Sequence, residues 1–122
     1  MELQFCFVVN CLKGVSVSTH THPTLELVYY VGGSGGTAIG GKAHRVRRNV
    51  LAIVPAGVPH DQTNLTDLDS ICVGVSHSGL EPLEGTWNDA GGLVGKVLHA
   101  LVEELKHRKT CLLYTSPSPR DS

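Results

Sequence analysis

The sequence predicts an all-β fold, a sandwich or barrel of short antiparallel strands, followed by one amphipathic α-helix. Three observations carry this reading. Extended, β-rich runs recur at close spacing through the first two thirds of the chain. Fourteen glycines punctuate them, and aromatic residues make up only 5% of the chain. A helical period appears only late, in Leu93, Val94, Val97, Leu98, Leu101, Val102 and Leu105. At 122 residues a single domain is expected. The formal charge of −1 implies neither a nucleic-acid nor an acidic partner. No apolar run approaches the roughly 20 residues of a membrane span, and the N-terminus does not read as a signal peptide, so no membrane partner is expected. Cys6, Cys11, Cys72 and Cys111 lack metal-type pairing and read as free thiols, which predicts a cytoplasmic location.

The elements follow in order. Residues 3–12 form a first strand, with Leu3, Phe5 and Phe7 on one face and Gln4 and Cys6 on the other. Lys13-Gly14 turns the chain into a second strand, Val15 to His20. Pro23 cannot donate to a ladder, so the chain is an edge or a bulge there. Leu25 to Val31 is rich in β-formers and continues the extended run until residues 32–36 break it. Gly40-Gly41 supplies the two positive φ angles of a type I′ hairpin between Thr37–Ile39 and Ala43–Val46. Asn49 suits a turn, and Val50–Val54 is a short buried strand. Residues 64–67 read as a turn, and Ser70–Val75 as the last clear strand. Leu80 to Trp87 reads as a loop, and Asn88 or Asp89 as the helix cap. The helix stripe either covers the barrel or pairs with the same helix of a second copy, a homodimer. As domains, this gives a barrel over 1–80, a loop over 81–90, a helix over 91–110 and a tail over 111–122.

The chemistry concentrates in Thr19–Glu26 and Pro55–His60. His20, His22 and Glu26 stand at even separations, so in one extended strand their side chains share a face. His60 comes from a second wall. Three imidazoles and a carboxylate suit a divalent transition metal, with Mn, Fe, Co, Ni, Cu and Zn all open. By the same parity Tyr30 joins the first set and Gln62 joins His60. Both are candidates to hydrogen-bond an effector, against the plainer role of filling the barrel. Asp61 is expected to face the other way. Lys42, His44, Arg45, Arg47 and Arg48 are locally basic and read as the solvated face of a hairpin, with no aromatic residues interleaved for base stacking.

These segments resemble the two motifs of the cupin superfamily. Gly14, His20, His22, Glu26 and Gly33 fit the first; Pro55, Gly57, His60 and Asn64 fit the second, with Asn49 where that motif begins with glycine. The resemblance covers roughly residues 14–64 and implies a double-stranded β-helix, or jelly-roll barrel, with His20, His22, Glu26 and His60 as metal ligands. A narrower resemblance, through His22-Pro23, Glu26–Val31, Gly33–Gly41 and Ile53–Asp61, is to the N-terminal cupin of AraC-type transcription regulators. It implies a small-molecule effector (a sugar among the candidates), a helical connector, and DNA binding only through a C-terminal helix-turn-helix domain that this chain does not contain. It implies a binding role and no catalytic residue. The alternatives are a small metal-dependent enzyme, a dioxygenase or isomerase, and a metal-free structural cupin. The tail from Cys111 to Asp121 resembles the translation of a transposase adapter used in DNA library preparation, so native coding is expected to run on from about Thr110.

Overall fold

A computed structural model describes residues 1–115, with side chains through Arg108. The described residues form β1 Glu2–Cys11, β2 Ser16–His20, β3 Leu25–Gly32, β4 Ser34–Ile39, β5 Lys42–Arg47, β6 Val50–Val54, β7 His60–Asn64, β8 Leu68–Ser76, β9 Gly85–Asn88 and α1 Leu93–Thr115. Two antiparallel sheets face each other, one in the order β1-β8-β3-β6-β9, the other β2-β7-β4-β5. This is the all-β jelly roll with a C-terminal helix that the sequence predicts.

Alternation along β3 explains the layering. Val28 and Tyr30 point between the sheets, where Ile39, Val46, Val50, Ala52, Val54, Leu68 and Cys72 close the inner core. Leu25 and Tyr29 point outward and are covered together with Ile53, Ile71, Val73 and Val75 by Leu98 and Val102 of α1. Both faces of β3 are therefore buried, which is why its sequence is apolar with so little alternation. Part of the α1 stripe thus covers the barrel, while Leu93 and Val97 stay exposed. Asp89 caps the helix: its carboxylate accepts Val94 N–H at 3.3 Å and Gly95 N–H at 3.0 Å.

Several elements differ from expectation. Residues 20–26 are not one strand: β2 ends at His20, β3 starts at Leu25, and the link around Pro23 crosses from one sheet to the other. Strand β4 begins at Ser34 and includes Gly35 and Gly36, because a Cβ at Gly35 would strike the Thr63 carbonyl of β7. Residues 60–64 form β7 despite their polarity. The stretch 81–90 is not all loop; Glu81–Leu83 makes a 3₁₀ turn and β9 pairs with β6. A bulge between Leu3 and Phe5 breaks the parity that would join Leu3 to Phe5 and Phe7. The helix runs to Thr115, past residue 110, and residues 116–122 of the expected tail lie outside the described residues. The Gly40-Gly41 hairpin, with φ of 57° and 82°, and Asn49, with φ of 66°, are as expected.

Candidate metal centre

Two sheets supply the donors. His20 ends β2 and lies directly across the ladder from His60, the first residue of β7. His22 stands in the link that crosses between sheets, and Glu26 comes from β3 in the opposite sheet. The backbone N–H of Gly57 donates to the carbonyl of His22 at 2.9 Å, tying that link to the turn before His60. The residues that parity grouped do come together, but through a crossing between sheets and not along one strand.

The three imidazoles cluster tightly. Ring centroids are 4.2 Å apart for His20 and His60, 4.7 Å for His20 and His22, and 5.0 Å for His22 and His60. One nitrogen from each ring falls within 4.8 Å of the other two. Glu26 is buried, and its Oε1 is 3.6 Å from His22 Nε2 and 3.5 Å from His60 Nε2.

Hydrogen bonds at the far side of two rings set their tautomers. His20 Nδ1 lies 2.8 Å from the Ser18 carbonyl, and His60 Nδ1 lies 3.0 Å from the Val58 carbonyl. A carbonyl only accepts, so each Nδ1 carries the hydrogen, and in the neutral ring Nε2 keeps its lone pair. Both lone pairs then point into the cluster. His60 Nε2 is buried without a hydrogen-bond partner and faces a carboxylate oxygen. A lone pair held against a carboxylate is unfavourable unless a positive charge lies between them. Two nitrogens held about 2.0–2.1 Å from one ion stand roughly 3 Å apart at adjacent positions. His20 Nε2 and His22 Nε2 are 3.1 Å apart. The residues present fit a metal ion.

A cavity of about 280 Å³ adjoins the cluster. Phe7, Val9, Val17, Val28, Ala52 and Val54 give it an apolar lining. Tyr30 and Gln62 line it as well; Tyr30 O–H donates to Gln62 Oε1 at 3.2 Å, and Gln62 Nε2 donates to Asn64 Oδ1 at 3.1 Å. Asp61 does not serve the cluster: its carboxylate accepts Ala38 N–H at 2.8 Å. Burial pushes the Cys72 thiol up to about 12 and raises the Tyr30 hydroxyl above its usual range. Sequence reasoning missed Cys72, Val9 and Val17 as cavity walls. Only the β1–β8 and β2–β7 pairings reveal them.

The family model described as Cupin domain matches residues 7–75. No curated protein matches the chain. Among solved structures, a conserved protein of unknown function from Streptococcus pyogenes is similar with a TM-score of 0.58 and 23% identity, over 65% of this chain and 68% of that one. A predicted oxalate decarboxylase from Thermotoga maritima gives 0.57 and 23%, over 61% and 67%. A cupin 2 conserved barrel domain protein from Leptotrichia buccalis gives 0.57 and 25%; the match covers 62% of this chain and 36% of that longer one. With its family model spanning most of the barrel and the same fold in these neighbours, the chain belongs to the cupin domain family.

Proposed function

We propose that this cupin domain holds a divalent transition metal on His20, His22, Glu26 and His60 and senses a small molecule in the adjoining cavity. In this reading it is the effector-binding part of an AraC-type transcription regulator, whose DNA contacts belong to a helix-turn-helix part outside these residues. The observation that carries the metal is the buried Nε2 of His60, clustered with nitrogens of His20 and His22 beside the Glu26 carboxylate and lacking a hydrogen-bond partner. A bound metal would supply Lewis acidity for an oxygen atom of the effector. Tyr30 and Gln62 would orient the effector's other polar atoms, and the valines would take its apolar part. A fully hydroxylated sugar fits this lining less well than a ligand with an oxygen-bearing head and an apolar body.

Sensing is favoured over acid–base turnover by the remaining groups of the cavity. Asp61 is engaged by backbone, while Tyr30 and Cys72 are held protonated. The second reading, a metal-dependent enzyme, rests on the donor count, since four protein donors leave about two of six octahedral positions for substrate. Elemental analysis and calorimetric titration of chelator-free protein test the metal. About one equivalent of Mn, Fe, Co, Ni, Cu or Zn is expected; less than a tenth, unrestored by added metal, overturns the assignment. Metal-loaded protein that consumes oxygen or releases carbon dioxide from small organic acids would favour the enzyme.

A further inference from the structure

The barrel has a second concave surface, away from the histidines. Along β6, Val54 pairs with Glu26 beside the histidine cluster, whereas Val50 pairs with Tyr30 toward the other end. Val50 and Val54 stand roughly 13 Å apart on an extended strand. Val50 lines a groove of about 580 Å³ between β5 and β9, the terminal strands of the two sheets. That volume falls in the ~300–1,000 Å³ range of ligand pockets. The groove shares no lining residue with the cavity at the histidines.

The groove is basic, and no acid offsets it. Arg45 and Arg47 flank buried Val46 on β5, so they project from one face of that strand, and both line the groove. Across the ladder from them stand Gly36 and Ser34, which carry no charge. Neither arginine takes part in an ion pair among the described residues. No Asp or Glu lines the groove, and none occurs in sequence between Glu26 and Asp61. Alternate positions on a strand are roughly 7 Å apart, which lets two long guanidinium side chains close on one phosphate.

The opposite wall supplies what the hairpin lacks. β5 has no aromatic residue, but β9 pairs with β6 and brings Trp87 into the same groove. Trp87 is 49% exposed, and its Nε1–H donates to the Leu83 carbonyl at 2.8 Å. A ring held in place yet half open to solvent is a platform for stacking. Ser34 and Asn88 add hydrogen-bonding groups to the lining.

We propose that this groove is a second ligand site, built for a small molecule with a planar ring and a phosphate, of the mononucleotide class. The ring stacks on Trp87, the phosphate sits on Arg45 and Arg47, and Ser34 and Asn88 meet the polar atoms between. Binding there needs neither the metal nor an effector in the other cavity.

Titration of the 122-residue chain with adenosine monophosphate tests it, read by calorimetry and by the emission of Trp87, the only tryptophan. Saturable quenching is expected, with the same affinity in chelator-treated and metal-loaded protein. Arg45→Gln with Arg47→Gln is expected to weaken binding at least tenfold and, since both side chains are exposed, to keep the wild-type Tm. Arg108→Gln, which removes charge from α1 and not from the groove, is expected to leave affinity unchanged. In the wild-type chain, inorganic phosphate and adenosine are each expected to bind at least tenfold more weakly than the nucleotide, a comparison that needs no variant. Four results overturn the proposal: no saturable signal at millimolar nucleotide, affinity unchanged in the double arginine variant, inorganic phosphate bound as tightly as the nucleotide, or binding that requires the metal.

Discussion

His60 concentrates the argument at the scale of single residues. Its Nδ1 is satisfied by Val58, and its buried Nε2 has no hydrogen-bond partner among the described residues, facing the Glu26 carboxylate at 3.5 Å. Leaving such an atom unpaired costs about 1–3 kcal/mol, so an ion that engages it stabilises the fold as well as the site. Metal at a hundred times its Kd is expected to add about 2.7 kcal/mol to wild-type stability. His60→Ala is expected to lose that response, with calorimetric Tm unchanged on adding metal. A second prediction concerns Asp89. The Gly95 N–H, then the Tyr29 hydroxyl, hold its carboxyl below the usual 3.8. A depressed folded value means that the carboxylate's contribution is present above the ordinary value and is lost as pH falls through the lower folded one. Asp89→Asn is therefore expected to lower Tm at neutral pH, and the gap from wild type is expected to narrow below about pH 4.

Individual elements show where pattern reading succeeds and where it stops. The Gly40-Gly41 hairpin and the Asn49 turn were legible because the backbone there needs positive φ, a demand few residues meet. β7 was not, since His60, Asp61, Gln62, Thr63 and Asn64 are polar and become a strand through their neighbours on β2 and β4. β9 was hidden for the same reason: its partner β6 makes it a strand. The site residues were legible by motif, yet the crossing between sheets was not, because spacing alone does not say which sheet a residue joins. Gly95 illustrates what only packing reveals. A Cβ there would lie 2.5 Å from the Tyr29 hydroxyl, which is buried under α1 and bonded to Asp89. Alanine is the better helix former by about 1 kcal/mol, but overpacking costs about 1–3. Gly95→Ala is expected to lower Tm, whereas Gly91→Ala, with open space around it, is not.

For the molecule as a whole, α1 completes the second of two cores. Leu98 is buried against the outer face of the first sheet, so Leu98→Ala is expected to cost about 2–5 kcal/mol in chemical denaturation, at protein concentrations where the chain is monomeric. A helix that served association alone would show the loss only in the dimer. No helix among the described residues is long and apolar enough to cross a membrane. Adjacent residues of β3 link the two cores back to back. Tyr30 looks inward and touches Gln62 beside the cavity; Tyr29 looks outward and holds the cap at the root of α1. A single peptide bond thus separates the side chain that would meet a guest in the cavity from the one that anchors the root of α1.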